Sequence, residues 1–384
     1  MKLLLLAGEE SGVLYANGIA ERARKAYPDV EIRGYGDYGF ETHDLAVMGF
    51  FAVVRKLFFF LRVKKTLERA IDEWRPDVVC TVDYPGMNLK LAAYAKARGI
   101  RAVHVVCPQV WAWKAGRIPK IEAALDHLCC FFPFEPKLFK PGFAEFIGHP
   151  LVAAMKEQGI GTGKQEMGNG KLTLAVLPGS RMGEIDKHMP ILQEVIRGLR
   201  EKIPELEVVI PAANDRAYAR IQTFNLGPST FNLIRGGARE LLQRADCAVV
   251  ASGTATLEAA LARCPTVLVY KVNCLFATFL RFAFRGMIRH VGLANIIWEK
   301  CVEPSSKDAA LSEAPMPELL QRDFSVAGVR MHLEAWLGNA EARHEARRRL
   351  DATMVFLEGE GDPLSCVVTA FKSYESIIQN YDKQ

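Results

Sequence analysis

Residues 247–261 read Cys-Ala-Val-Val-Ala-Ser-Gly-Thr-Ala-Thr-Leu-Glu-Ala-Ala-Leu. Five apolar residues with no polar break suit a strand buried on both faces, as strands are in a parallel sheet covered by helices. Three small residues, Ser252, Gly253 and Thr254, lead straight into a helix-forming run. A helix starting there points unpaired backbone N–H groups and the positive end of its dipole back at the loop. Gly253 removes the side chain that would block close approach, the hydroxyls of Ser252 and Thr254 add donors, and Ala255 keeps the first turn small. A phosphate or diphosphate fits such a place. Glu258 lies one turn into the helix, where a carboxylate can accept from a ribose diol. A plain strand-to-helix turn, with Ser252 as N-cap and Glu258 favouring the dipole, accounts for the same letters. Both readings stand on this stretch alone.

The same unit recurs along the chain. Apolar runs at 2–7, 30–33, 77–82, 101–106, 127–133 and 145–147 are followed by turn signals and helical patterns, and a second series lies at 172–177, 208–211, 231–234, 247–251 and 266–270. Repeated strand–helix units make doubly wound parallel sheets, so the fold class is α/β. A length of 384 residues accommodates two domains. The change of composition at 158–170, with Gly159, Gly161, Gly163, Gly168 and Gly170, marks the linker. We therefore expect a Rossmann-like domain over 1–160, a second over 171–345, and C-terminal helices over 346–384 that can cross back to the first. Two such halves, each with loops at strand carboxyl ends, imply a cleft between them.

Composition removes several classes. Net charge is +5, which suits anionic partners, but no Lys/Arg block has the size of a nucleic-acid arm, and Arg347-Arg348-Arg349 reads as a solvated helix face. The nine cysteines form no Cys-x-x-Cys and most sit in apolar runs, as in a reducing compartment. The apolar start is cut short by Glu9 and Glu10, so it reads as a strand rather than a signal peptide, and no apolar stretch is long enough to span a bilayer. A cytoplasmic location is expected. Gly34-Tyr35-Gly36-Asp37-Tyr38-Gly39 matches G-x-G-x-x-G, but it follows the second strand, so a glycine-rich loop is expected there instead of a dinucleotide site.

The chemistry gathers at strand ends, where ligands bind in open α/β sheets. Asp83 ends the strand at 77–82 and is a candidate base; an Asx-turn or a cap for a helix from Leu89 explains it equally. The tract from Pro108 to Lys120 sets Gln109, Trp111, Trp113, Lys114 and Arg117 at another strand end. Pro178-Gly179-Ser180-Arg181 follows the strand at 172–177; with a helix expected from about Pro190, it forms the second half of a phosphate site. Residues 48–71 mix Phe50, Phe51, Phe58, Phe59, Phe60 and Leu61 with Arg55, Lys56, Arg62, Lys64 and Lys65. They read either as an amphipathic helix packed on a sheet or as a surface lying on an anionic membrane. Phe276 to Arg285 repeats that pattern. The absence of any Asp-x-Asp pair argues against a nucleotide held through a divalent metal.

Several of these loops together resemble the lipid-A-disaccharide synthases, inverting GT-B glycosyltransferases. The resembling pieces are Ala7-Gly8-Glu9-Glu10-Ser11-Gly12, Asp83-Tyr84-Pro85-Gly86-Met87-Asn88, the tryptophan tract, Phe132-Pro133-Phe134-Glu135, Gly148-His149-Pro150, Leu177 to Arg181, the stretch 251–260 and Pro317-Glu318-Leu319-Leu320-Gln321, in family order across almost the whole chain. The resemblance implies transfer from UDP-2,3-diacylglucosamine to 2,3-diacylglucosamine 1-phosphate, with release of UDP. It implies no metal or other cofactor, and a protein held peripherally at the inner membrane, for which Phe58, Phe59 and Phe60 would form an acyl-facing surface. An oligomer is compatible with it. The matched positions assign Ser11, Gly12, Asn88, Gln109, Trp111, Trp113, Arg117, His149 and Asn295 to substrate loops. They assign Gly179, Ser180, Arg181, Ser252, Gly253, Thr254, Ala255 and Glu258 to UDP, and Asp83, with Glu9 in reserve, to the general base. Two departures fall on the acceptor side. Val13 stands where the family has Asp, and Asn295 is followed by Ile296-Ile297-Trp298-Glu299-Lys300 and an extra segment to about Ala314. The rival readings are a UDP-sugar 2-epimerase or different glycolipid transferase on the same fold, and a nucleotide-sugar-binding paralogue without catalysis.

Overall fold

The computed structural model describes residues 1–8, 10–40, 57–112, 115–157, 171–224, 231–271, 289–302 and 308–372. The chain forms two compact units. Unit 1 comprises Met1–Ala153 together with Leu357–Gln384, and unit 2 is Ala154–Phe356. The expected linker at 158–170 lies outside the described residues.

Unit 1 holds strands β1 (Lys2–Ala7), β2 (Glu31–Arg33), β3 (Val78–Val82), β4 (Arg101–Val105), β5 (His127–Cys130) and β6 (Ala144–Phe146) in the order β2-β1-β3-β4-β5-β6, all pairs parallel. The period-2 alternation of side chains sorts β1 between two faces. Leu3, Leu5 and Ala7 pack with Ile19 and Ala23 of the Glu10–Ala26 helix, and Leu4 and Leu6 pack on the other face with Val63, Leu67 and Ile71 of the Leu57–Trp74 helix. The first face is completed from the far end of the chain. Val367 and Val368 of the Pro363–Thr369 helix are buried in it. Arg22 grips Asp362 with two nitrogens, the Nη2–Oδ1 contact being 2.9 Å, and the His149 amide donates to Leu357 O at 3.1 Å. Each such aliphatic side chain contributes about 1.5–3 kcal/mol when fully buried.

Unit 2 holds β7 (Thr173–Leu177), β8 (Glu207–Ala212), β9 (Asn232–Arg235), β10 (Cys247–Ala251), β11 (Thr266–Tyr270) and β12 (Glu318–Leu320) in the order β12-β11-β10-β7-β8-β9, again all parallel. Strand β12 was not expected from the sequence. It is three residues long and half-buried at a sheet edge, too short to show a period. The glycine-rich loop at 34–39 contains a short 3-10 turn, Gly36–Tyr38.

Two helix starts differ from expectation. The helix after Arg181 runs Met182–Lys202, with Pro190 inside it, instead of starting near Pro190. Ile185, Met189, Leu192, Ile196 and Leu199, spaced by three and four, are all buried, and that stripe outweighs the one amide the proline lacks. The helix after Asp83 starts at Pro85, not Leu89, and its N-cap is Tyr84. Asp83 is therefore not the cap.

Candidate active site

In each sheet the chain reverses its direction of strand addition once. In unit 2 it runs β7-β8-β9 outward, then returns to add β10-β11-β12 on the other side, so the reversal lies between β7 and β10. Strands diverge into a crevice at such a point, at their carboxyl ends. Leu177 and Val250 are register partners there, so Gly179–Arg181 and Ser252–Thr254 leave the sheet side by side.

They line one pocket of about 410 Å³ with Ala255 and Glu258. All eight residues that the sequence nominated for UDP are in it. Gly253 has φ 156°, ψ −166°, a backbone open to glycine and strained for other residues, and it is the N-cap of the Thr254–Leu261 helix. Ser252 is thus not the cap; its amide donates to Val269 O at 3.0 Å and ties the loop to β11. Thr254 and Ala255 open the helix, and their amides have no intrahelical acceptor. Gly179 has φ 115°, and a Cβ on it would stand 2.6 Å from a Glu184 carboxylate oxygen. Glu184 in turn accepts from Arg181 Nη1 at 2.9 Å, and the Arg181 side chain remains 58% exposed, free to reach an anion. Glu258 accepts from Arg239 Nε at 2.9 Å through Oε1.

Sequence reasoning missed the opposite wall. Pro211, Ala212, Ala213, Gly236 and Ala238 line the same pocket from the carboxyl ends of β8 and β9. The rule that strand ends bind ligands covers these loops as well; their small side chains offered no chemistry to notice. Small residues make a wall against which a flat base can lie.

In unit 1 the reversal lies between β1 and β3, whose ends Ala7 and Val82 are register partners. Asp83 follows directly. Asp83 and Tyr84 both take left-handed backbone, φ 51° and 50°, and so does Val106 at the end of neighbouring β4, φ 75°. Such backbone costs a β-branched or bulky residue about 1–3 kcal/mol and persists only where surrounding structure imposes it. Here the Asp83 amide is held by Val105 O at 2.9 Å and the Val106 amide by Cys129 O at 3.1 Å. Asp83 Oδ1 accepts from the Tyr84 amide at 2.8 Å. Burial raises the Asp83 carboxyl above its ordinary range, and that bond only partly offsets the shift. A half-buried carboxylate with raised proton affinity is suited to taking a proton.

Asn88 is fully buried. Its Oδ1 accepts from Tyr35 Oη at 2.7 Å and its amide nitrogen reaches the carbonyls of Leu6, Val82 and Asp83, the last at 2.8 Å. It shapes the Asp83 loop. Asn295 is likewise buried, bonding Met316 N and O and the Glu318 carboxylate. His149 is buried with Nδ1 accepting from the Leu151 amide at 3.1 Å, and burial lowers its pKa to about 4. These three side chains hold loops in place.

In the tryptophan tract, Gln109 is exposed, and Arg117 ends the 3-10 turn Ala115–Arg117. Trp111 donates from Nε1 to Glu135 Oε1 at 3.0 Å and meets Phe134 edge-on, ring centres 5.5 Å apart. Glu135 Oε2 accepts from the Phe132 amide at 3.2 Å. Glu135 is 1% exposed, and its burial pushes the carboxyl up to about 8 against those hydrogen bonds. Cys107 and Cys130 lie against the same carboxylate, buried. Gly12 sits in the Glu10–Ala26 helix, packed near Val82 O. Glu9 and Trp113 lie outside the described residues, as does the Ser11 side chain. Of the aromatic-basic stretch, Phe58 is 85% exposed, whereas Phe59 and Phe60 pack against the core. The rest of that stretch before Leu57, and all of 276–285, lie outside the described residues. Among the described residues, no helix is long and apolar enough to cross a membrane.

Comparison with known proteins agrees with this architecture. Among solved structures, MnaA of S. aureus with UDP superposes with a TM-score of 0.62 at 12% identity over 98% of both chains. MurG of Acinetobacter baumannii gives 0.52 at 12% identity over 96% of this chain and 98% of that one. At such identity the likeness concerns the fold, which is GT-B. Closer relatives are found by sequence. The lipid-A-disaccharide synthase of Syntrophus aciditrophicus is 34% identical over 318 residues, 79% of this chain and 82% of the relative. That of Xanthomonas campestris pv. campestris (strain 8004) is 33% identical over 358 residues, 88% of this chain and 79% of the relative. The profile of the family described as lipid-A-disaccharide synthetase matches residues 3–316. With a family match across most of its length and relatives at this identity, the chain belongs to the lipid-A-disaccharide synthases, a family of glycosyltransferases.

Proposed function

We propose that the protein transfers 2,3-diacylglucosamine from its UDP derivative to 2,3-diacylglucosamine 1-phosphate, giving the lipid A disaccharide 1-phosphate and UDP, with inversion and without a metal. The observation that supports this best is the pocket between β7 and β10, where two distant glycine loops, an exposed arginine and a helix start converge. UDP is held there. Glu258, steadied by Arg239, accepts from the ribose, and the small wall at Ala213 and Gly236 takes the base. As the bond from the anomeric carbon to the diphosphate breaks, the growing negative charge is offset by Arg181 and the amides of Thr254 and Ala255. The acceptor hydroxyl attacks the anomeric carbon and yields its proton to Asp83.

The acylated substrates belong to a lipid surface, and one helix suits such a surface. On Leu57–Trp74 the exposed residues Phe58, Leu61, Arg62, Lys65 and Arg69 fall at positions i, i+3, i+4, i+7 and i+11, an outward stripe of apolar and basic groups that ends at the exposed acids Asp72 and Glu73. Phe58→Ser with Leu61→Ser removes the apolar part without touching the core, so sedimentation with anionic vesicles should fall while thermal stability holds. Equal sedimentation would remove the membrane role.

The deciding test is turnover of UDP-2,3-diacylglucosamine with the acylated phosphosugar, read by mass spectrometry of the product. The disaccharide phosphate and one UDP per turnover are expected. An epimerised UDP-sugar, or UDP binding without any product, would overturn the reading.

A further inference from the structure

One buried side chain of unit 2 has no place in the reaction above. His188, on the Met182–Lys202 helix, is completely buried, packed edge-on to Phe324 with ring centres 5.3 Å apart and near Tyr270 at 6.2 Å. Both ring nitrogens are engaged. Nδ1 lies 2.8 Å from Pro178 O, and Nε2 lies 3.1 Å from the Lys271 amide nitrogen. A carbonyl can only accept and an amide can only donate, so the pair defines the tautomer: the proton sits on Nδ1 and Nε2 accepts. Burial holds the imidazole below its ordinary pKa, which keeps it in the neutral form that this pairing requires.

The two partners lie on either side of the diphosphate loop. Pro178 immediately precedes Gly179, Ser180 and Arg181 after β7, and Lys271 follows β11; β10, which carries Ser252, Gly253 and Thr254, runs between β7 and β11. A single imidazole thus fastens both flanks of the loop while the loop itself is tied to β11 through the Ser252 amide. Gly179 has no side chain of its own to fix it, and its carbonyl neighbour Pro178 is the last backbone group before the anion-facing residues.

We propose that His188 is a positioning residue of this site. Its Nδ1–H···O bond sets where Gly179–Arg181 stand relative to Ser252–Thr254, and hence the fit to the diphosphate; the proposal rests on the reading of this pocket as the UDP site. Removing it should harm recognition of the diphosphate and leave recognition of the nucleoside, whose contacts come from Glu258 and the β8–β9 wall.

The test compares UDP and uridine binding by calorimetry for the full chain and for three variants. His188→Leu keeps the apolar volume and removes both bonds. His188→Asn can place an amide donor near the Nδ1 position, facing Pro178, while His188→Gln can place an acceptor near the Nε2 position, facing Lys271. UDP affinity should fall about tenfold or more in His188→Leu, the size of leaving a buried hydrogen-bonding group unpaired, with uridine affinity kept. His188→Asn should restore most of the UDP affinity and His188→Gln should not. If His188→Leu fails to fold, the Asn and Gln variants decide the matter by the same UDP-to-uridine ratio. Wild-type UDP affinity in all variants, or parallel loss of UDP and uridine, overturns the positioning role. A wild-type protein that binds neither ligand overturns the assignment of the pocket itself.

Discussion

The two sheets reverse at equivalent points, yet they are finished in opposite ways. At the β7/β10 reversal the loops are glycine, serine and threonine, and the backbone is the working surface: Gly179 and Gly253 take conformations suited to glycine, and a helix start supplies the donors. At the β1/β3 reversal the left-handed positions are held by Asp83 and Tyr84, with Val106 nearby, and a half-buried carboxylate stands at the crevice. An anion of fixed shape is gripped by amides, which need glycine to come close. A proton transfer needs a carboxyl group at one place in one orientation, and an imposed backbone delivers that at a cost in strain. On the function proposed above, the first unit moves a proton and the second holds a charge.

The largest expected effect breaks the first half of that contrast. Asp83→Asn preserves size and the bond to the Tyr84 amide but does not take up a proton. Turnover should fall by ~10²-fold or more, with UDP affinity and melting temperature near wild type. A variant with full turnover and lower stability would make Asp83 a turn residue and transfer the role to Glu9, tested by Glu9→Gln.

Arg181→Ala acts on the other half. A charge-assisted contact contributes about 1.5–3 kcal/mol, so UDP affinity should drop by one to two orders of magnitude. Unchanged calorimetry would take Arg181 out of the diphosphate site. Gly253→Ala sharpens the contrast further, because it leaves every side-chain contact in place and changes only the backbone. Strain of about 1–3 kcal/mol should appear as weaker UDP binding; wild-type affinity would mean that the amides at the start of the helix do not grip the ligand.

The smallest effect is a pH slope in unit 1. Glu135 has its folded pKa raised to about 8 from an ordinary 4.5, so between those values the folded protein binds the proton more than the unfolded chain does. Its contribution to stability is complete below the lower value and is lost as pH rises to the upper one. His104, His149 and His188, lowered by burial, act in the opposite sense, since stability falls as they meet acid below their ordinary pKa. The difference between wild type and Glu135→Gln isolates the glutamate: melting temperatures followed from pH 5 to 8 should converge in favour of the variant. A constant difference would remove Glu135 as the titrating group.

How far these sites could be read in the sequence follows the same division. Backbone sites leave strong local traces, because small residues between an apolar run and a helix have few other uses; Gly179–Arg181 and Ser252–Glu258 were legible for that reason. The wall at Ala213 and Gly236 was not, since small residues without a charged or hydroxyl neighbour look like any turn. Asp83 was visible as an acid at a strand end, but its left-handed backbone and raised proton affinity depend on β4 and β5, which are distant in sequence. Asn88, His149 and Asn295 were assigned to substrate loops through the resemblance; that their side chains are buried depends on tertiary packing and could not be read from the letters. His188 gave no signal and Glu135 stood out only as part of a family motif, because what makes both notable is burial. Strand β12, three residues long, could not be separated from a turn by any period.

The closing of unit 1 by the far end of the chain has a consequence for biosynthesis. Residues 1–153 leave the ribosome before unit 2, but the core that receives Val367 and Val368 stays open until the Pro363–Thr369 helix has been made. Unit 2, continuous from Ala154 to Phe356, has all its strands in hand before that. Domains generally fold as units in the order of synthesis. In this protein the order is inverted for completion: unit 1 is begun before unit 2 and finished after it, and a nascent chain halted at Phe356 carries one complete unit and one whose core still lacks Val367 and Val368, a target for chaperones and proteases alike.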